Sequence, residues 1–296
     1  MVWRSLGLGL GLVAALALAG AASATEGGGG AYPNGAEDFM AGALPPPGNY
    51  SITYFLYYEA DHLKDNNGNN VPIDFDLTVA GPVFRFIRVR PTTWLGADTM
   101  AQHVFIPTLY VDVDTPAGSD SNFGLGDVIV DPLILGWHKG SLFFAAGVDI
   151  YLPMGDYDTG ELANIGRNYW TFEPVLAATY RCPANYEISA KLMYDINLEN
   201  RESDYDSGDE FHTDVTIGKH WGPLAVGLNG FYYEQVTDDS GPGAPENGNK
   251  GKQIGWGPAI NYQYKMVNLT LKYQDEIETE NKPEGSRVWF KVICPF

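Results

Sequence analysis

The sequence predicts an all-β protein: a transmembrane, antiparallel, up-and-down β-barrel of about twelve strands, with an N-terminal segment placed to plug its lumen. Three observations predict it. Apolar residues alternate with period two in run after run, the connections between runs are short and long by turns, and aromatic residues gather at the run ends.

Composition narrows the field first. Of 296 residues, 45% are apolar and only 19% charged, so material for a large buried or lipid-facing surface is present. The 18 Lys and Arg against 37 Asp and Glu give a net charge of -19, which excludes nucleic acid as a partner because phosphate binding needs a basic face. Two cysteines cannot make a disulfide scaffold or a four-thiolate zinc site.

Residues 1–24 read as a signal peptide: a basic start to Arg4, an apolar stretch from Leu6 to Ala19, and Ala22-Ser23-Ala24 as the cleavage site. That stretch is shorter than the ~20 residues a helical span needs. Residues 25–48 form a separate N-terminal segment, either a periplasmic tail or a plug of the lumen, and residues 49–296 the barrel. No later stretch is apolar enough for a helix span, so a membrane-embedded mature chain must be a closed sheet.

The strand runs follow in order. Tyr50 to Asp61, Phe75 to Arg88, Ala97 to Asp112 and Asp127 to Trp137 come first; in the last three, Pro82, Pro107, Pro132 and mixed apolar faces suggest bulges or irregular pairing. Leu142 to Leu152, Trp170 to Tyr180 and Tyr186 to Asn197 alternate cleanly. Glu210 to Trp221, Leu224 to Gln235, Ile254 to Tyr264 and Asn268 to Glu278 lead to the terminal run. There Val288, Phe290, Val292, Cys294 and Phe296 share one face, as in the last strand of bacterial outer-membrane barrels. Merging or splitting a weak run would change the count to ten or fourteen.

Connections such as Gly222-Pro223 and Lys265-Met266-Val267 are short. Those at the other end, including Val113 to Leu125, Met154 to Asn168, Val236 to Gln253 and Thr279 to Gly285, are expected to be long and polar. Barrels of the outer membrane have short periplasmic turns and long external loops. Trp94, Trp137, Tyr180, Tyr186, Trp221, Tyr264 and Phe296 fall at the short-turn ends. Tyr57, Tyr58, Tyr151, Trp170, Tyr194, Tyr232, Trp256 and Tyr273 fall near the long-loop ends, giving two expected interfacial girdles.

Six motifs in order carry a family resemblance: Tyr32 to Glu37 (YPNGAE), Gly42 to Gly48 (GALPPPG), Gly124 to Asp127 (GLGD), Leu162 to Trp170 (LANIGRNYW), Ser207 to His212 (SGDEFH) and Gln235 to Asp239 (QVTDD). The chain resembles the outer-membrane barrel family named for the meta-pathway of phenol degradation, from Tyr32 to Phe296. That resemblance implies a porin-like barrel of the bacterial outer membrane that passes small aromatic or other apolar compounds. Cys294 departs from the family's ending, where an aromatic residue is common.

In the N-terminal segment, Asn34 and Glu37 have capping-box spacing, which predicts a short helix over residues 34–42 ended by Pro45-Pro46-Pro47. Phe39, Met40 and Leu44 are expected to enter and narrow the lumen. The expected wall of the pathway carries Glu173, Lys191, Asp195, Asn197, Glu210, His212 and Asp214, an acidic row that disfavours anions. The same positions also suit cross-strand ion pairs that stiffen a barrel wall. Glu210, His212 and Asp214 share a face and could ligate a metal, but one His with two carboxylates is a weak signal, and no metal or cofactor is expected.

The expected partners are outer-membrane lipid and lipopolysaccharide, the barrel-assembly machinery through Phe296 and the terminal strand, and a small apolar permeant. No catalytic residues are expected. Two other classes stay open: an outer-membrane hydrolase of lipids or esters, for which none of the five His sits in a Ser-rich motif, and a closed structural or adhesion barrel.

Overall fold

The computed structural model describes residues 25–245 and 250–296; the expected signal peptide, residues 1–24, lies outside the described residues. The strands are β1 (Gly48–Leu63), β2 (Asp76–Pro91), β3 (Thr99–Thr115), β4 (Gly118–Leu125), β5 (Val128–Lys139), β6 (Leu142–Leu152) and β7 (Thr171–Arg181). They continue with β8 (Tyr186–Asn197), β9 (Glu210–Trp221), β10 (Leu224–Gln235), β11 (Lys252–Tyr264), β12 (Val267–Glu280) and β13 (Pro283–Pro295). Neighbours pair antiparallel, and β1 pairs with β13 from Tyr50 opposite Pro295 to Leu63 opposite Pro283, which closes the sheet.

The barrel is twelve-stranded because β4 and β5 share one position. The upper part of β3 pairs with β4, Thr108 opposite Leu125, and the lower part with β5, Phe105 opposite Ile129. The break falls at Gly126 and Asp127 beside Pro107. Proline has no N–H to give the ladder, and the carbonyl of Pro107 instead accepts from the Gly126 amide at 3.0 Å.

Two connections differ from expectation. The stretch 113–125 is mostly the β3–β4 hairpin, turning at Pro116-Ala117, and 279–285 contracts to a hairpin turning at Asn281-Lys282. These strand ends extend past the apolar belt and are covered on one side through polar contacts, Asp120 accepting the amides of Leu162 and Ala163 and Thr279, Asn281 and Lys282 being buried, so they carry no apolar alternation and read as loop.

Alternation is otherwise expressed as sidedness. On β13, Val288 and Phe290 are 38% and 39% exposed, whereas Arg287, Trp289 and Lys291 are buried in the interior. A soluble fold would bury such an outer face; here it forms a lipid-facing belt. Trp94, Tyr180, Tyr186, Trp221, Tyr264 and Phe296 are exposed at the short-turn end, and Tyr57, Trp170 and Tyr273 at the other. Tyr58 and Tyr151, placed by sequence in the second girdle, point inward instead. The Tyr58 hydroxyl donates to Glu276 at 3.1 Å and that of Tyr151 to Glu173 at 2.8 Å. Tyr58 shares the inward parity of Tyr54, and Tyr151 that of Asp149.

Candidate functional site

The interior side chains of β7 to β13 are mostly charged or polar, with Met193, Phe231 and Trp289 among the apolar exceptions, and residues 25–47 lie against them. The expected helix over residues 34–42 is replaced by turns, with Gly35 at φ 78 and Met40 at φ 61. Barrel side chains outcompete a helix for the backbone. Asp214 accepts the amide protons of Gly35 at 2.9 Å and Glu37 at 2.8 Å, and also the Tyr32 hydroxyl at 2.6 Å. Glu187 takes the Met40 amide at 2.6 Å and Thr179 that of Gly42 at 3.0 Å.

Carbonyls are held as firmly. Lys272 donates to those of Gly35, Ala36 and Glu37 at 2.6, 2.8 and 3.0 Å, and Arg287 to that of Asn34 at 2.8 Å. Asp38 pairs with Lys291 at 2.7 Å. At the long-loop end, Asp239 accepts from the Thr25 amide at 3.1 Å, from the Gly208 amide at 2.8 Å and from the Tyr205 hydroxyl at 2.5 Å. Burial, and then this bond to Asp239, push the Tyr205 hydroxyl well above its ordinary range. At the other end, Leu44 meets Gly136 of β5. The segment therefore runs the length of the lumen.

What it leaves open is two cavities. One, of about 630 Å³, lies toward the long loops against an apolar wall that includes Leu56, Val79, Val83, Phe105, Leu109 and Val111 of β1 to β3. The second, of about 900 Å³, lies toward the short turns beside Met40, Leu44, Ile52, Ile87 and Ile134. Glu37, Tyr54, Asp149 and Lys191 line both, so the two meet at a charged neck. There Arg85 bonds Glu37 at 3.0 Å, His103 bonds Asp149 at 2.7 Å, and Lys191 lies 3.8 Å from Asp149. Each charge at the neck has an opposite partner.

Of the residues chosen from sequence, Phe39, Met40, Leu44 and Lys191 line these cavities. Phe39 packs on Ala225 and Ala259. The rest lie behind the N-terminal segment or within the wall. Glu173 takes the Tyr151 hydroxyl and lies 3.7 Å from Lys191; Asn197 bonds Thr171 at 2.7 Å; Glu210 takes the Tyr233 hydroxyl at 2.8 Å. Asp195 faces His212 at 3.1 Å, and His212 bonds Asn34 at 2.7 Å. Asp214 is saturated by the segment, so the Glu210, His212 and Asp214 grouping does not form; Asp195 takes the place of Asp214.

The apolar wall and the Arg85, His103 and Asp149 neck are not among the residues chosen from sequence. Their signal was the mixed faces of the second to fourth runs. A strand that faces lipid on one side and an apolar lumen on the other has no polar face to alternate.

Two quoted motifs meet at the strand break. Asp127 accepts the amides of Met154, Gly155 and Arg167 at 3.1, 2.9 and 2.7 Å, pinning the 153–170 loop over the first cavity. Gly155 and Gly166 pack backbone to backbone; a Cβ on Gly155 would sit 2.7 Å from Gly166 Cα.

A family model described as "Putative MetA-pathway of phenol degradation" matches residues 60–292. Among solved structures, an outer membrane channel from Pseudomonas putida F1 is similar with a TM-score of 0.78 at 16% identity, covering 87% of this chain and 98% of that one. The beta domain of a Bordetella autotransporter has a TM-score of 0.49 at 12% identity, covering 84% and 99%. No curated protein matches in sequence.

Proposed function

The chain belongs to that phenol-degradation family, and from this premise we propose that it is a passive channel of the bacterial outer membrane for small apolar or aromatic compounds. The observation that carries the reading is the apolar cavity of about 630 Å³ on the β1 to β3 side, continued past a charge-compensated neck into a second cavity. A ring-sized neutral solute is desolvated cheaply against Leu56, Val83, Phe105 and Leu109. At the neck it meets paired charges that give an ion no net attraction.

Residues 25–47 act as the constriction, held open on one side of the lumen rather than across all of it. The acidic row from Asp195 to Asp214 serves this segment as its seat, so ion preference rests with Glu37, Arg85, Asp149 and Lys191. The protein carries out no bond chemistry. Lipid and lipopolysaccharide surround the belt, and the exposed Phe296, whose amide bonds the Asn49 carbonyl at 3.0 Å, is the signal for barrel assembly.

Uptake of labelled phenol and of a charged sugar by cells with and without the protein tests this. Phenol entry should depend on the protein and charged-sugar entry should not. Equal passage of both would remove the apolar-permeant reading, and hydrolysis of a lipid or ester panel would replace it with an enzyme.

A further inference from the structure

Two buried groupings each join one His to two carboxylates: His103 with Asp131 and Asp149, and His212 with Asp195 and Glu210. Their imidazoles are set differently. Arg85 donates to Nδ1 of His103 at 2.9 Å, so that ring donates from Nε2 to Asp149 at 2.7 Å and offers the carboxylates no lone pair.

For His212 a relay of amides settles the proton. The Pro283 carbonyl can only accept, so Gln253 turns its Nε2 to it at 2.8 Å and its Oε1 to Asn34 Nδ2 at 3.4 Å. Asn34 then presents Oδ1 to His212 Nδ1 at 2.7 Å, and that nitrogen carries the hydrogen. This is how a metal-binding imidazole is oriented: one nitrogen donates to a second partner and the other is freed.

The freed Nε2 lies 3.1 Å from Asp195 Oδ2 and 3.4 Å from Glu210 Oε2. A tetrahedral ion with bonds of about 2.0–2.1 Å holds its ligand atoms about 3.3–3.4 Å apart, close to this spacing. All three residues are 1% exposed or less. Glu210 Oε2 has no partner besides the His212 ring, Asp195 Oδ1 faces the carboxyl of Glu173, itself 3.7 Å from Lys191, and among the described residues no Lys or Arg nitrogen lies within 4.0 Å of Asp195 or Glu210. Two buried carboxylates facing one imidazole call for positive charge between them.

We propose that Asp195, Glu210 and His212 bind a divalent transition-metal ion, zinc by its preference for imidazole with carboxylate, and that the ion ties the N-terminal segment to the barrel wall. The two carboxylates cancel its charge, and the imidazole disfavours calcium and magnesium, which take oxygen. The tie runs through His212 to Asn34. This inference does not depend on what the channel passes.

The test refolds the full mature barrel in detergent with zinc, dialyses it, and measures bound metal by atomic emission. Folding is confirmed by gel mobility without boiling. About one zinc per barrel is expected, together with cobalt substitution that gives a visible ligand-field spectrum. H212Q and, as the near-isosteric second variant, D195N should each lower retained zinc at least tenfold while the barrel stays folded. Folded wild type that retains no zinc overturns the proposal. Equal zinc in wild type and D195N overturns it as well, as does displacement of the zinc by a tenfold excess of calcium.

Discussion

The side-chain ammonium of Lys272 lies 2.6 Å from the carbonyl oxygen of Gly35, a residue 237 positions earlier in the chain. Strand β12 thereby grips a segment that contributes nothing to the sheet. The grip is electrostatic and directional: one ammonium satisfies three successive carbonyls while Asp214, three strands away on β9, satisfies amides of the same turn. Backbone groups that a helix would pair internally are here paired with the barrel, which accounts for an ordered segment without regular structure.

Lys272→Met removes all three of these bonds and the ammonium's pairing with Asp38 at 3.5 Å; the Ala36 carbonyl loses its donor, while Gln274 and Asn229 still reach the carbonyls of Gly35 and Glu37. Breaking such a buried pairing costs about 3–5 kcal/mol. The heat needed to convert the folded to the unfolded gel band should fall, and residues 25–44 should become protease-sensitive. An unchanged transition would show that the segment is not held by this residue.

Deleting residues 25–44 while retaining β1 should raise single-channel conductance in a planar bilayer, since the lumen loses its filling along its whole length. Unchanged conductance and unchanged phenol uptake would refute the constriction.

Gly35→Ala meets two obstacles: a φ of 78, and a Cβ that would sit 2.5 Å from the Gln274 carboxamide. The left-handed backbone alone costs about 1–2 kcal/mol for a side-chain-bearing residue. The variant should be less stable than wild type yet more stable than Lys272→Met, and the order of the two melting transitions is the measurement.

Leu192→Arg places a charge on the lipid face of β8, at mid-strand, where the side chain is 44% exposed. The expected loss is about 2–4 kcal/mol in lipid. Urea titration of the barrel in vesicles reads it, and a cost near zero would mean that this face is not in hydrocarbon.

Val111→Asp puts a carboxylate into the apolar wall of the first cavity. Phenol uptake should drop several-fold while conductance of small cations is kept. A loss of both together would place Val111 in stability rather than in the pathway.

Much of the fold was legible in the sequence because period two is a one-dimensional signal. Val288 and Phe290 out, Arg287 and Lys291 in, follows from counting, as does the inward row of Glu173, Lys191, Asp195 and Asp214. Legibility failed where local pattern and environment part company. The β4 strand meets the 153–170 loop through polar contacts of Asp120 and has no apolar face to betray it. The wall of β1 to β3 is apolar on its outer face and, Arg85 and His103 apart, largely apolar on its inner face, so its sidedness cancelled in the pattern.

The sequence by itself determined a barrel, the positions of every strand but β4 within a few residues, which residues of β7 to β13 face inward, and an N-terminal segment with an apolar patch. Only the tertiary structure decided what those inward charges serve. Whether Asp214 meets water, a solute or the amides of Gly35 and Glu37 depends on closing the sheet through β1 and β13 and threading the segment inside it. Such pairings join residues 137 to 253 positions apart, set by shape and desolvation, and no local period in the chain encodes them.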